Sequence, residues 1–370
     1  MKQQHIELNL GSTTTTKQTS MLGLYAMNGG EGHLSYAQNS SYQRGVLDVA
    51  KPLLEEEIAA KLDHFNPNFR IADFGCSTGH NSFPAIEIIT EAIEKKFETL
   101  RPEFQVFFND QVMNDFNTLF HSLPQRKRNL YAAGVAGPFH GRLFPKASLD
   151  FAYSSCALNW LSQVPEAVAD HTSPAWNKGR VHYTGAKHQV FEAYSNHYAN
   201  DINSFLQARA EELVTGGLMA LLVPADPAPR CSHGSATSFT TPTEIDLLGS
   251  CLVDMANKGI VSEERVDSFN FPLYFTIPEE LKGIIERNMS FKIERMEIVN
   301  NIWGKGRLCS AKARAAYLRA VFEGMLINQF GREVMDQLFD RYTNKLAASP
   351  HFLDPHNEKS IIIFLLLKRN

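Results

Sequence analysis

The sequence predicts an α/β fold, a Rossmann-like mixed sheet with an inserted α-helical cap, on three observations. Two apolar runs each end on an acidic residue, a helix-patterned segment lies between them, and the remaining short apolar runs are interrupted by two long stretches of helical pattern. The first acidic-tipped run is FRIADFGCSTGHN, residues 69–81, where Ile71, Ala72 and Phe74 read as a buried strand that turns through Gly75, Cys76 and Gly79 beside Asp73. Glycines there let backbone approach a ligand closely at the edge of a sheet. The second is FQVFFND, an apolar run over 104–108 closing on Asn109 and Asp110. Between them residues 82–98 carry Ile86, Ile89 and Ile93 at helical spacing with charges opposite, so the unit reads as βαβ. A carboxylate at the second strand tip suits a ribose diol, since its oxygens accept from two hydroxyls. The glycine spacing is not the dinucleotide fingerprint and no Gly-Lys-Ser/Thr follows, which counts against nicotinamide cofactors and a phosphate-cradling loop.

The other elements follow in order. Residues 1–24 are polar and Thr/Ser/Gln-rich, and are expected to be a disordered N-terminal segment. Residues 44–62 predict an amphipathic helix with Val46, Val49, Leu53, Leu54, Ile58 and Leu62 on one face. Strands are expected at 129–134, 149–153 and 217–223, the last after a helix stopped by the glycines of EELVTGG. The terminal SIIIFLLLKRN reads as a buried closing strand. Segments 160–200 and 226–350 are helical in pattern, with Gly/Pro breaks. The expected division is a cofactor-binding domain of 25–160, 201–225 and 358–370, and a cap of 161–200 and 226–357.

A formal charge of −4 with scattered signs gives no footprint for nucleic acid or an anionic membrane. No apolar segment reaches the roughly 18 residues of a membrane span, and the N-terminus lacks a secretory core, so a cytoplasmic location is expected. Five dispersed cysteines without C-x-x-C indicate neither a disulfide framework nor zinc, and the 13 histidines show no metal-ligand spacing. His182, His188 and His197 are read as surface or cap residues, and Phe322, Met325 and Phe339 as helix core.

A set of strings then falls in order along the chain: MNGGEGHLSYAQNSSYQRG (27–45), ADFGCSTG, FFND, NDFNTLF (114–120), GRLFP (141–145), NWLSQVP (159–165), NKG (177–179) and VDSFNFP (266–272). Together they resemble the plant SABATH methyltransferases, which methylate carboxylic acids or xanthine nitrogens with S-adenosylmethionine. The resemblance implies a class I methyltransferase sheet with an α-helical cap, commonly dimeric. It places Tyr36, Asp73, Gly75, Cys76, Asn81, Asp110, Gln111, Phe139 and Ser155 at the cofactor, and Gln43, Cys156, Asn159 and Trp160 at the acceptor. Asn177, Asp267, Phe269 (through its carbonyl) and Asn270 match a site where some relatives hold magnesium, and oxygen ligands suit that hard cation.

The implied acceptor is a small-molecule carboxylic acid, terpenoid, iridoid or aromatic. A carboxylate is ionised at neutral pH, so methyl transfer needs placement more than a general base. Gln43 and Trp160 offer neutral N–H donors that hold a carboxylate without drawing charge from it as a bidentate arginine would. SYAQNSSYQRG and GRVHYTG look nearest to the branch acting on loganic acid and related carboxylates, although Asn159 stands where that branch carries histidine, and a glycosylated or terpenoid acid is expected in a roomier, more polar pocket. Two departures fall in the expected cofactor pocket: His80 where relatives read proline, and Pro138 where they read serine. A third is Cys156, where relatives often carry tyrosine beside the acceptor, together with His140 following Phe139. The alternatives are xanthine-type N-methylation, or a family member that has lost methyl transfer and binds or rearranges a metabolite.

Overall fold

The computed structural model describes residues 26–124, 129–227, 238–300 and 310–370. Among the described residues seven strands form one sheet: β1 (Asn68–Phe74), β2 (Glu103–Asp110), β3 (Leu130–Ala136), β4 (Leu149–Ser155), β5 (Leu213–Ala225), β6 (Phe291–Val299) and β7 (Ile361–Arg369). Their spatial order is β3-β2-β1-β4-β5-β7-β6. β1 to β5 are parallel, and β7 inserts antiparallel between β5 and β6. Strand order therefore reverses between β1 and β4, the place where an open α/β sheet leaves a crevice for a ligand.

Period-two alternation explains why these strands are apolar throughout. In β7, Ile362, Phe364 and Leu366 enter one core while Ile361, Ile363, Leu365 and Leu367 enter the other. β5 divides in the same way, with Leu218, Ala220 and Leu222 against Met219, Leu221 and Val223. A strand covered on both faces has no polar side to show. Each such side chain contributes about 1.5–3 kcal/mol through burial.

One face is covered by helices α1 (Ser41–Lys61) and α2 (Ser82–Lys96), the other by α3 (His188–Glu212) and, beside it, α5 (Pro278–Asn288). α4 (Thr241–Asn257), α6 (Ala311–Phe330) and α7 (Met335–Ala347) pack together as the cap.

Several expectations are corrected. The segment 226–357, read as helical cap, contributes strand β6 to the sheet, because a bulge between Ile293 and Arg295 shifts the alternation of FKIERMEIV out of phase. Lys292, Arg295 and Glu297 on this strand suit its position at the sheet edge. Residues 188–200, also assigned to the cap, are the first half of α3 and bury Val190, Tyr194 and Tyr198 in the core beneath the sheet. α3 is not stopped by glycine: it ends at Glu212, Leu213 starts β5 directly, and Gly216 (φ +78°) lies in the irregular stretch where Leu149 pairs with Leu213 but Phe151 with Leu218. On α1, Val49 is exposed and Leu53 half-buried, while Leu47 and Ala50 are buried instead. The N-terminal segment 1–24 lies outside the described residues, as do Cys231 and Cys309. Cys76, Cys156 and Cys251 are free thiols. No described helix is long and apolar enough to cross a membrane.

Candidate active site

The carboxyl ends of β1, β2 and β4 meet at the crevice. After β1 the chain turns at Gly75 (φ +87°), whose N–H, like that of Cys76, donates to the Asn109 carbonyl at the tip of β2. A Cβ on Gly75 would stand 2.4 Å from that of Ala157, so only glycine lets the loops after β1 and β4 approach this closely. Asn109 fixes the neighbouring loop by donating to the carbonyls of Val135 and Gly137 at 2.8 and 2.9 Å. The Asp110 carboxylate accepts from the backbone N–H of Ser77 (2.7 Å) and of Gln111 (2.8 Å), which aims it along the crevice.

The motif NDFNTLF binds the motif MNGGEGH. Asp115 accepts from the Gly30 N–H at 2.9 Å, and a Cβ on Gly29 would meet its carboxylate at 2.5 Å. Asn28 is tied to α6, its N–H donating to the Ala320 carbonyl and its amide to Glu323 at 2.7 Å. The segment carrying Met27 and Tyr36 is thereby strapped across the crevice and up to the cap.

Beneath this strap lies a cavity of about 390 Å³. Tyr36, Gly75, Asp110, Gln111, Phe139 and Ser155 line it, as do all four expected acceptor residues, Gln43, Cys156, Asn159 and Trp160. The remaining expected cofactor residues, Asp73, Cys76 and Asn81, line a small recess that shares Tyr36, Gln43, Gly75, Ser77 and Ser155 with it. Every cofactor and acceptor position expected from sequence lines one or other of these two spaces, which have five lining residues in common. Of the departures, Pro138 lines the cavity, whereas His80 is exposed and lines neither space.

Burial dominates the electrostatics. It pushes Asp73 up to about 7, helped by the neighbouring charge of Asp110. Asp110 is pushed up to about 6, against the pull of the Ser77 and Gln111 N–H groups. Asp73 Oδ2 is buried without a hydrogen-bond partner among the described residues. Two water-starved carboxyls, one with an unused acceptor, suit a ligand that brings positive charge and N–H or O–H donors. Burial also pushes the Cys156 thiol up to about 12, so it stays neutral and is no nucleophile.

At the acceptor end Gln43 is 8% exposed and donates from Nε2 to the Tyr317 hydroxyl at 3.3 Å. Its Oε1, not its nitrogen, is left without a partner, as is Oδ1 of Asn159. The amide nitrogen still carries a second hydrogen for a ligand. Trp160 packs on Phe322 of α6, ring centroids 5.9 Å apart, and its carbonyl lies 3.3 Å from Nε2 of His140. Lysine and arginine are absent from the lining among the described residues.

Sequence reasoning missed Tyr42, Ile245, Tyr317 and Val321, all of which line the cavity; His140, singled out with Cys156, lines it as well, and Phe322 serves both core and cavity. His182, read as surface or cap, is fully buried, 2.7 Å from the Thr184 hydroxyl and 3.2 Å from the Leu273 carbonyl. His188 is exposed and His197 half-buried, and Met325 and Phe339 are core as expected.

Asn177, Asp267, Phe269 and Asn270 lie apart from the cavity lining: Asn177 in one loop, Asp267 at the end of the short helix Glu263–Asp267 and Phe269 and Asn270 just after it, the two segments being joined to each other. Asn177 Nδ2 donates to the His182 carbonyl (3.1 Å), which fixes its amide, and also to Asn270 Oδ1 (2.7 Å). Asp267 accepts from the Gly179 N–H at 2.8 Å. The buried atom left unpaired is Asn270 Nδ2, a donor, where a cation would need oxygen lone pairs. As arranged, these residues fasten one loop to the other and do not present a divalent-cation cage. Among the described residues no group of three or more His, Cys, Asp or Glu gathers as a metal site.

A reversed strand order with β7 antiparallel, an acid-lined crevice at the switch point and a chamber capped by helices define a class I methyltransferase. The chain belongs to the family of S-adenosylmethionine-dependent carboxyl methyltransferases, whose model matches residues 23–370. It is 44% identical over 356 residues to a loganic acid O-methyltransferase of Catharanthus roseus, covering 93% of this chain and 94% of that protein. A 3,7-dimethylxanthine N-methyltransferase of Camellia sinensis var. assamica is 36% identical over 370 residues, with 93% and 95% covered. A solved loganic acid methyltransferase with S-adenosylhomocysteine superposes with a TM-score of 0.87 at 44% identity, over 93% of this chain and 98% of that one.

Proposed function

We propose that this enzyme transfers the methyl group of S-adenosylmethionine to the carboxylate of a small plant acid, giving the methyl ester and S-adenosylhomocysteine. The observation that carries the reading is the continuity of one cavity from the Asp110 tip of β2 to the neutral side chains Gln43, Asn159 and Trp160. S-adenosylmethionine, when bound, supplies an electrophilic methyl on a positively charged sulfur. The residues present fit it: the buried acceptor of Asp73 and the backbone-held carboxylate of Asp110 offer negative charge and lone pairs to a cationic ligand with a ribose diol.

At the acceptor end the chain binds and orients. Neutral donors hold the acid without a formal charge that would tie up its nucleophilic oxygen, and the tied-down strap of residues 27–36 contributes Met27 and Tyr36 to the wall around it. Positioning of this kind lowers a barrier by up to about 7–11 kcal/mol. No general base is required, since the acid arrives ionised. A ring N–H acceptor would have to lose a proton; the imidazole in the described lining, His140, has its Nε2 against the Trp160 carbonyl and its basicity lowered by burial, and the other groups at the acceptor end are neutral amide, indole, thiol and phenol. Carboxyl methylation is therefore favoured over N-methylation.

Calorimetric titration of the purified chain with S-adenosylhomocysteine tests the cofactor half of the reading. Saturable binding with one site per chain is expected. Absence of heat at high micromolar ligand would show that Pro138 and its surroundings have closed the crevice to the methyl donor.

A further inference from the structure

The cap side of the cavity carries an inference about the acceptor, which rests on the carboxyl-methylation reading and narrows it. Ile245 of α4, Leu318, Val321 and Phe322 of α6, and Leu273 and Phe275 from the segment before α5 form this wall. Two polar residues stand among them. Thr241 is turned away, its N–H and hydroxyl both bound to the Ser360 hydroxyl, at 2.8 and 3.0 Å. Tyr317 is turned inward, where its oxygen accepts from Gln43. A phenol that accepts one hydrogen bond keeps its own O–H to give.

We propose that Tyr317 is a substrate-binding residue that donates to the acceptor carboxylate together with Gln43, and that the body of the acid is apolar and unglycosylated. The chemistry of the wall gives the second half. A sugar brings several hydroxyls, each of which needs a partner once buried, and the cap wall beyond the Gln43–Tyr317 pair presents methyl groups and phenyl rings. An aliphatic or aryl body loses nothing against those groups and gains from leaving water. Against the more polar pocket expected from sequence, the residues that α4 and α6 contribute to the lining are, apart from Thr241 and Tyr317, apolar.

The full chain, with isotope-labelled S-adenosylmethionine, is offered a terpenoid or aryl monocarboxylic acid and a glucoside of the corresponding hydroxy acid. The expected kcat/KM for the apolar acid exceeds that for the glucoside by about 100-fold or more, because sugar hydroxyls set against the cap wall find no partner there. Equal or better turnover of the glucoside overturns the apolar-body inference while leaving carboxyl methylation standing. Failure of every acid with turnover of a xanthine overturns the underlying reading as well. Tyr317→Phe is expected to raise KM for the apolar acid about 10-fold with kcat and S-adenosylhomocysteine affinity little changed, the cost of one hydrogen bond to a charged group. An unchanged KM would remove Tyr317 from the clamp. Ile245→Gln, which adds an amide to the wall, is expected to lower kcat/KM for the apolar acid and leave its glucoside no worse. A proportional loss with both would show that Ile245 is structural and that the wall does not select.

Discussion

Gln43 on α1 and Tyr317 on α6 meet across the cavity, amide nitrogen to hydroxyl oxygen at 3.3 Å, and this contact joins the sheet-side helix to the cap at the acceptor end. Gln43→Ala removes both a ligand donor and this cross-link. It is expected to raise KM for the acid about 10-fold, on the scale of one hydrogen bond to a charged group, with the affinity for S-adenosylhomocysteine unchanged. Gln43→Glu sets a carboxylate against the substrate's own charge and is expected to cost more in kcat/KM than the alanine. Steady-state kinetics of both variants check the order, and a glutamate variant as active as wild type would place the carboxylate elsewhere.

Asp110 is held by two backbone N–H groups, at 2.7 and 2.8 Å. Asn in its place keeps one acceptor and turns an NH2 against the other N–H. Asp110→Asn is expected to weaken S-adenosylhomocysteine binding by about 1.5–3 kcal/mol, roughly 10- to 100-fold. Calorimetry measures it directly, and a change under threefold would show that Asp110 does not touch the ligand.

The raised carboxyls give the cofactor site a pH dependence. Burial holds Asp110 at about 6 and Asp73 at about 7, above the usual carboxylate value near 4, so the free enzyme retains protons that a cationic ligand displaces. Affinity for S-adenosylmethionine is expected to rise by at least about tenfold from pH 5 to pH 8, with protons released on binding. Titrations in buffers of different ionisation enthalpy report that release. The stability effect has the opposite sign. Folded-state values above the unfolded ones mean that these two groups favour the ligand-free fold fully below pH 4 and lose that contribution as pH rises to 7.

Gly75→Ala would force a Cβ to 2.4 Å from Ala157 at φ +87°. A loss of about 1–3 kcal/mol is expected, visible as a lower thermal midpoint, together with weaker ligand binding as the loops after β1 and β4 part. An unchanged midpoint would show that the crevice tolerates the wider separation.

Since Asn177, Asn270, Asp267 and Gly179 already bond to one another, chelation of divalent cations is expected to leave turnover unchanged. Activity lost to a chelator and restored by magnesium in wild type but not in Asp267→Asn would show that Asn270 turns to offer its oxygen to a metal.

The cofactor edge was legible because its signals are local. Apolar runs that stop on Asp73 and Asp110, with glycine at the turn, mark strand ends whatever packs around them, and the thirteen cofactor and acceptor positions expected from motif all line the cavity or the recess that shares its residues. The cap wall was not legible. Tyr317, Val321 and Phe322 share one helix with core residues such as Leu326 and Phe330, and helical periodicity does not say which apolar side chain faces a cavity and which a neighbouring helix. β6 hid behind its bulge, and α3 behind an amphipathic pattern that does not say what it covers. His80 and Pro138 are both departures within the motifs assigned to the cofactor, and the sequence does not separate them; the first is exposed on the turn before α2 while the second lines the cavity.

Base treatment of the labelled product separates the possible acceptor atoms most directly. The full chain is incubated with S-adenosylmethionine carrying an isotope-labelled methyl group and an apolar monocarboxylic acid, and the organic product is then hydrolysed with alkali. Release of the label as methanol, in amounts equal to the S-adenosylhomocysteine formed, is the result this structure predicts. Label that survives alkali on the product, or S-adenosylhomocysteine formed without any ester, would contradict methyl transfer to a carboxylate held by Gln43, Trp160 and Tyr317.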